Sequence, residues 1–291
     1  MRRWPLALVC LAGCTATHVA LPIPVSSTSV PTTTEATTTT TVRRSRPFPI
    51  TSSQLNLDDT ARARPLPTTV WRPSGPGRWP LIVFGHGFRV GPAPYVALCE
   101  AWAAAGYVVA APVFPGDVGP TASEAGLSSE PADLSFVISS LVSVPYVDPA
   151  RIAVAGHSDG GEAALAAGFQ TGMADPRVRA VIALSVQPLT ASVVNRPGGL
   201  PILFAQSDRD TVNPLRRGLA AYDDAVAPKF LLVLHGADHL SPFAGQSPWA
   251  SVVDRVTIDF LDRYVAGSAA STSALEADGS VAGVSTLTLV T

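Results

Sequence analysis

Hydrophobic and polar positions follow two alternating patterns between about residues 66 and 265. Short runs rich in Val, Ile, Leu and Ala recur, and longer segments with helical spacing separate them. This alternation is typical of βαβ units, and it predicts an α/β domain with a mainly parallel central sheet and helices on both faces. The predicted strands are 68–71, 81–84, 107–111, 152–155, 178–184, 202–205 and 230–234. The predicted helices are 94–105, 131–143, 160–168, 214–225 and 248–265.

The carboxy-terminal residues, 267–291, differ in character from this region. Beyond Gly267 the chain becomes small and polar, and it ends in the segment 281–290. We expect this segment either to dock on the domain as an extra strand or to stay loose. The predicted organisation is therefore an α/β domain over 54–266 followed by a tail over 267–291.

The first 53 residues show no period that could bury a face. Residues 14–53 are rich in Thr, Ser and Pro, which predicts a tether rather than a folded unit. Residues 1–13 have the features of an export signal, because two arginines precede an apolar run that is too short to span a bilayer.

The signal ends in Leu11-Ala12-Gly13-Cys14, which resembles the lipobox of bacterial lipoproteins. This resemblance implies cleavage before Cys14 and acylation of its thiol, so that a lipid anchors the protein to the membrane of the cell envelope. Cys10 fits less well, since the residue before it is the larger Val9. The alternative is an ordinary secretory signal with an incidental cysteine, in which case the protein is secreted.

Composition narrows the class of protein. Of the 291 residues 47% are hydrophobic and the net charge is −2, which describes an ordinary globular core with no basic patch for nucleic acid. Once Cys10 and Cys14 are removed or acylated, only Cys99 remains of the three cysteines, so we expect no internal disulfide in the mature domain.

The main candidate for chemistry is Gly156-His157-Ser158-Asp159-Gly160-Gly161, which lies between a predicted strand and a predicted helix. Gly-x-Ser-x-Gly in this setting is a nucleophile elbow, a strained turn that exposes the serine hydroxyl at the end of the sheet. Ser158 is therefore the predicted nucleophile. The N–H of Asp159 begins a helix, where a developing oxyanion is stabilised.

Two loops that follow later strands supply the candidate acid and base. The first contains Asp208 and Asp210; Asp210 is favoured because it stands four residues before the proline that opens a helix, and Asp208 is the fallback. The second contains His235 and His239; His239 is favoured as general base because it lies beyond a glycine, in a loop able to fold back over the sheet end. The order Ser, Asp, His along the chain suits this assignment.

The second oxyanion donor is expected after the strand 81–84, in Gly85-His86-Gly87-Phe88, where the glycines allow close approach of the backbone. The N–H of Phe88 is the predicted partner of the Asp159 N–H. His86 has no clustered partners with metal-ligand spacing, so we interpret it as structural. We predict no cofactor or metal.

Together these motifs resemble an α/β-hydrolase, and more narrowly the group that contains dienelactone hydrolases, platelet-activating-factor acetylhydrolases and bacterial cutinase-like polyester hydrolases. The resemblance implies a Ser-Asp-His hydrolase acting on small or medium esters. Three departures from the polyester hydrolases favour a general carboxylesterase: the loop 185–189 lacks their tryptophan, their carboxy-terminal disulfide is absent, and Phe88 replaces their usual tyrosine. The short span between residues 184 and 201 predicts no large cap domain.

Asp159 is the residue that this resemblance explains least. Its charge opposes formation of an oxyanion unless the side chain points away. Two other functions remain open at this point. One is different acyl-transfer chemistry on the same triad, by a peptidase or acyltransferase, and the other is a non-catalytic envelope lipoprotein that uses the scaffold for binding. The oligomeric state is not indicated.

Overall fold

A computed structural model describes residues 47–189, 199–245, 247–268 and 272–291. The predicted signal peptide, Cys14 and residues 14–46 of the predicted tether lie outside the described residues. So do residues 190–198, which make up most of the span on which the prediction of no large cap depends.

Nine strands form one sheet in the order β1-β2-β4-β3-β5-β6-β7-β8-β9. The six strands from β4 to β8 in this order run parallel, while β1, β2 and β9 pair antiparallel at the two edges. This arrangement confirms the predicted α/β-hydrolase fold. The strands are β1 Ile50–Asp59, β2 Arg64–Pro73, β3 Trp79–Gly85, β4 Val108–Pro112, β5 Val147–His157, β6 Val178–Leu184, β7 Ile202–Ser207, β8 Lys229–Leu234 and β9 Ser285–Val290.

Helices cover both faces of the sheet, because alternate side chains of the parallel strands enter two separate cores. In β3, Ile82 and Phe84 join the core that contains Trp102 of α1 and Phe260 of α5, while the neighbouring Val83 joins the core beneath α2, α3 and α4. The helices are α1 Val96–Ala104, α2 Glu130–Leu141, α3 Asp159–Phe169, α4 Leu215–Asp224, α5 Ala250–Leu261 and α6 Thr272–Gly279.

Both ends of the domain differ from their predicted boundaries. Strand β1 begins at Ile50, inside the predicted tether, because an edge strand needs only the hydrogen bonds of its partner β2 and leaves most of its polar side chains exposed. The segment after Gly267 forms α6 and then β9, which pairs antiparallel with β8. Of the two alternatives for the tail, the structure therefore has the added strand.

The remaining helices match the predicted ones closely, with ends that shift by one or two residues except at the end of α5, which is Leu261 instead of residue 265. The first turn of the predicted helix at 94–105 is a separate 3-10 turn, and α5 continues into a π-turn over Asp262–Ala266. In the described part of the chain, no helix is both long and apolar enough to cross a membrane.

Candidate active site

Ser158 lies between β5 and α3 in a strained backbone conformation. Its φ of 53° and ψ of −123° fall where side chains other than glycine are disfavoured, at a cost on the order of 1–3 kcal/mol. The surrounding structure holds it there, since its N–H donates to Leu184 O at 2.9 Å and its carbonyl accepts from Glu162 N at 2.9 Å. The conformation is the one that a nucleophile elbow requires.

Glycines around the elbow let α3 approach the strands at backbone contact. A Cβ on Gly156 would lie 2.1 Å from Gly160 O, and one on Gly160 would lie 2.3 Å from the carbonyl carbon and oxygen of Gly85. Any side chain at these positions would push the helix away from β3 and β5. The glycines of the motif are therefore needed for packing as well as for the turn.

His239 and Asp210 form a hydrogen bond at the end of the sheet. His239 Nδ1 lies 2.7 Å from Asp210 Oδ2, and the Asp210 side chain is fully buried. The other oxygen, Oδ1, accepts the N–H groups of Val212 and Asn213, each at 2.8 Å. The carboxylate is thus fixed in a position to orient the imidazole through Nδ1, which leaves Nε2 for proton transfer.

The two alternative residues, Asp208 and His235, form a second pair nearby. His235 Nδ1 lies 3.2 Å from Asp208 Oδ2, and its Nε2 lies 2.8 Å from Thr286 Oγ1 on β9. Asp208 Oδ1 also accepts the Gly236 N–H at 2.7 Å. Both ring nitrogens of His235 are therefore occupied by contacts to the loop after β7 and to β9. The pair whose loop contacts the elbow is His239 and Asp210.

The elbow and the histidine loop are joined through His157, the residue before the candidate nucleophile. His157 Nε2 donates to the carbonyl oxygen of His239 at 2.8 Å, and the centroids of the two imidazole rings lie 4.6 Å apart. Burial and the neighbouring His239 lower the pKa of His157 to about 3, so its ring is neutral. This contact brings the loop that carries His239, which is itself bonded to Asp210, against the residue that precedes Ser158.

A tyrosine that the sequence analysis missed links the same histidine to the oxyanion turn. Tyr95 is fully buried, and its hydroxyl lies 2.8 Å from His157 Nδ1 and accepts the Gly87 N–H at 3.3 Å. Because His157 Nε2 carries the proton, Nδ1 accepts from the tyrosine. Position 95 gave no sequence signal, since a tyrosine at the start of a helix reads as an ordinary core residue.

The turn after β3 lies against the elbow, as its two glycines predict. A Cβ on Gly87 would approach Ser158 Cβ at 3.5 Å and His157 Nδ1 at 3.0 Å. His86 is buried; its Nδ1 lies 3.0 Å from Gly87 O and its Nε2 accepts the Phe114 N–H at 3.0 Å. Burial lowers the pKa of His86 to about 4, so a neutral His86 holds this turn.

Asp159 is the first residue of α3 and is partly exposed beside the buried Ser158. Burial raises its pKa, and the backbone N–H groups of Phe88 and of Asp159 itself oppose that rise. These are the two N–H groups predicted to hold an oxyanion. Other carboxyls lie around it, and burial raises the pKa of Asp117, Glu130 and Glu162 as well.

No group of three or more His, Cys, Asp or Glu side chains is arranged to hold a metal ion in the described ranges of the chain. Cys99 is buried in the core that contains Trp102, and its thiol is free.

The mainly parallel sheet with a glycine-framed serine at the end of β5 defines an α/β-hydrolase. A family model for chlorophyllases matches residues 38–198, which is more than half of the chain. The chain therefore belongs to the chlorophyllase family, and this membership indicates a hydrolase that acts on esters. The match includes Phe88 and Ser158 but ends before Asp210 and His239. No curated protein matches the chain.

Proposed function

We propose that this protein is a serine carboxylester hydrolase that forms an acyl-enzyme on Ser158. The observation that carries the proposal is the 2.7 Å hydrogen bond between His239 and the buried Asp210, in a loop whose backbone contacts His157, the residue before a serine held at positive φ. The family supports hydrolysis of esters, and the narrower resemblance to dienelactone hydrolases and cutinase-like enzymes supports a general carboxylesterase for small or medium esters.

In the proposed reaction, Ser158 Oγ attacks the ester carbonyl while His239 Nε2 accepts its proton. The tetrahedral intermediate carries its negative charge beside the Phe88 and Asp159 N–H groups. It collapses by expelling the alcohol, which takes the proton from His239. Water, deprotonated by His239, then attacks the acyl-enzyme and releases the carboxylic acid and Ser158. Asp210 keeps the imidazole in the tautomer with a proton on Nδ1.

Labelling by a fluorophosphonate probe tests the nucleophile. We expect the purified protein to be labelled and Ser158→Ala to lose labelling, while Ser53→Ala, an exposed serine on β1, keeps it. Short p-nitrophenyl esters should be hydrolysed faster than the matching p-nitroanilides, because p-nitrophenol is a better leaving group than p-nitroaniline. Absence of both labelling and esterase activity in the wild-type protein would refute the proposal and favour a binding role for the scaffold.

The base is tested by comparing the two histidines of the sheet end. His239→Ala should lose nearly all activity, whereas His235→Ala should keep the rate and lose mainly the contacts to Asp208 and Thr286. The reverse result would mean that His235 is the base and that Asp208, its hydrogen-bond partner, is the acid.

We also propose that the protein is exported and anchored to the envelope membrane by a lipid on Cys14. The support is the lipobox-like sequence alone. An alkyne fatty acid fed to the producing cells should label the wild type and Cys10→Ser but not Cys14→Ser. Release of unlabelled wild-type protein into the medium would instead indicate an ordinary secretory signal.

A further inference from the structure

The buried imidazole of His157 touches the loop of the candidate base but takes no part in the proposed reaction. Its ring centroid lies 4.6 Å from that of His239, 5.2 Å from that of Phe243 and 5.5 Å from that of Tyr95. His239 and Phe243 both belong to the loop after β8, whereas Tyr95 lies just before α1. Three rings from two separate segments therefore hold the His157 imidazole in one orientation.

The hydrogen bonds of His157 run in one direction only. The carbonyl oxygen of His239 can only accept, so the 2.8 Å contact places the ring proton of His157 on Nε2. Nδ1 then carries a lone pair and accepts from the Tyr95 hydroxyl at 2.8 Å. The Tyr95 oxygen in turn accepts the Gly87 N–H at 3.3 Å. A chain of hydrogen bonds with fixed donors thus runs from the oxyanion turn to the main chain of the base, and such chains strengthen one another.

The state of His157 suits it to a fixed contact rather than to proton transfer. Burial, together with the nearby His239, lowers the pKa of His157 to about 3, so the ring stays neutral when an ordinary histidine titrates. A protonated His157 would have to give up the hydrogen bond that Nδ1 accepts from Tyr95. The donor to the His239 carbonyl is therefore present throughout the pH range in which a histidine acts as a base.

Two hydrogen bonds then define where His239 lies. Its side chain is held by Asp210, at 2.7 Å between Nδ1 and Oδ2, and its main chain is held by His157 Nε2. Because His157 is directly followed by Ser158, the second contact refers the base to the nucleophile through a single peptide unit. Asp210 orients the imidazole, but only the contact from His157 ties the loop of the base to the elbow itself.

We propose that His157 is a positioning residue that holds the main chain of His239 in place beside Ser158, and that Tyr95 fixes the tautomer of His157 required for this contact. The inference rests on the proposed function of Ser158 and His239. Loss of the contact lets the base shift, and a displacement of about 1 Å costs on the order of 10²-fold in rate. The effect should fall on kcat rather than KM, because His157 and Tyr95 are buried away from the substrate.

Two substitutions of similar size separate the hydrogen bond from the packing of the ring. His157→Gln places an amide N–H near the position of Nε2 and keeps a donor for the His239 carbonyl, whereas His157→Met fills similar space without a donor. We expect His157→Met to lower kcat for p-nitrophenyl acetate, and the rate of fluorophosphonate labelling, on the order of 10²-fold with little change in KM. His157→Gln should recover much of this loss. A role in packing alone predicts equal rates for the two variants.

A double-mutant cycle with the base gives a readout that a general distortion of the elbow would not reproduce. In His239→Ala no imidazole remains to be positioned, so adding His157→Met should leave the slow residual rate of fluorophosphonate labelling unchanged. If His157→Met distorted Ser158 instead, it would lower the rate in both backgrounds by the same factor.

Tyr95→Phe gives a second test that does not replace His157. It removes the donor to His157 Nδ1 and should lower kcat. Tyr107→Phe is the matched control, since Tyr107 is also buried and its hydroxyl donates to Asp262 Oδ1 at 2.6 Å. Tyr107 lies before β4, at the end of the sheet opposite to Ser158, so its loss should leave kcat unchanged.

The outcomes distinguish this inference from the proposed function. If the wild type is labelled at Ser158 but His157→Met and His157→Gln are equally fast, with similar melting temperatures, the inference is wrong and the esterase function stands. If either His157 variant melts much earlier than the wild type, the tyrosine pair decides, and equal kcat for Tyr95→Phe and Tyr107→Phe overturns the inference. If the wild type reacts with neither the probe nor the ester, the proposed function itself is refuted.

Discussion

Gly160→Ala should disable the site by steric contact alone. The added Cβ would lie 2.3 Å from the backbone carbon and oxygen of Gly85 and 2.5 Å from His86 O. Both neighbours are backbone atoms at the end of β3, so neither can rotate away. To reach an ordinary contact of about 3.4 Å, α3 and the β3 turn must separate by about 1 Å, which is comparable to the displacements that cost about 10²-fold in catalytic rate.

The same substitution has opposing effects on stability. Overpacking costs about 1–3 kcal/mol, whereas alanine in place of glycine in a helix gains up to about 1 kcal/mol. The overpacking term is the larger, so we expect a melting temperature lower by a few degrees, at about 2–4 °C for each kcal/mol in a domain of this size. Gly75→Ala is the control, because nothing lies within 4 Å of its added Cβ.

The assay combines differential scanning calorimetry with the rate of fluorophosphonate labelling. We expect Gly160→Ala to lower the melting temperature and the labelling rate, and Gly75→Ala to change neither. If Gly160→Ala kept the wild-type melting temperature and labelling rate, the close contact between α3 and β3 would not be what positions Ser158 against the oxyanion turn.

Three further predictions concern the network around the site. Asp210→Asn should reduce kcat on the order of 10⁴-fold by favouring the wrong tautomer of the base, while Asp208→Asn leaves kcat unchanged; equal losses would contradict the assignment of the acid. Tyr95→Phe should lower the unfolding free energy in urea by about 1–3 kcal/mol, since it leaves His157 Nδ1 buried without a donor; an unchanged midpoint would contradict the hydrogen bond. Burial raises the pKa of Glu130 from its ordinary value of 4.5 to about 9, so the fold favours the neutral carboxyl. The contribution of Glu130 to stability is therefore fully present below pH 4.5 and is lost as pH rises toward 9. The melting temperature of Glu130→Gln minus that of the wild type should therefore increase from pH 5 to pH 8, and a constant difference would show that Glu130 titrates normally.

Much of the fold could be predicted from sequence because the central strands are buried on both faces. Such strands are continuous apolar runs, as in residues 81–84 and 152–155, and they are recognisable without knowledge of their partners. Strand β1 could not be found this way, because most of its side chains remain in water and its stability comes from hydrogen bonds to β2. Likewise, β9 forms through its pairing with β8. The local sequence pattern gives little indication of that pairing.

The candidate site, too, could be predicted from the sequence only in part. Ser158, Asp210 and His239 could be proposed from their order and their position after strands, and the choice of Asp210 over Asp208 depended on the register of one loop. The hydrogen bond between His239 and Asp210 required the folded loops, as did the contacts of Tyr95 with His157 and Gly87. These residues are distant in sequence, and no local period relates them.

The sequence by itself determined the class of fold, the elbow around Ser158 and the identity of the groups able to carry the reaction. These are properties of local pattern, in which apolar runs, glycines and polar loops recur at fixed spacing. Only the tertiary structure decided which histidine meets which aspartate. The two aspartates follow β7 and the two histidines follow β8, so the pairs can form only when these parallel strands lie side by side.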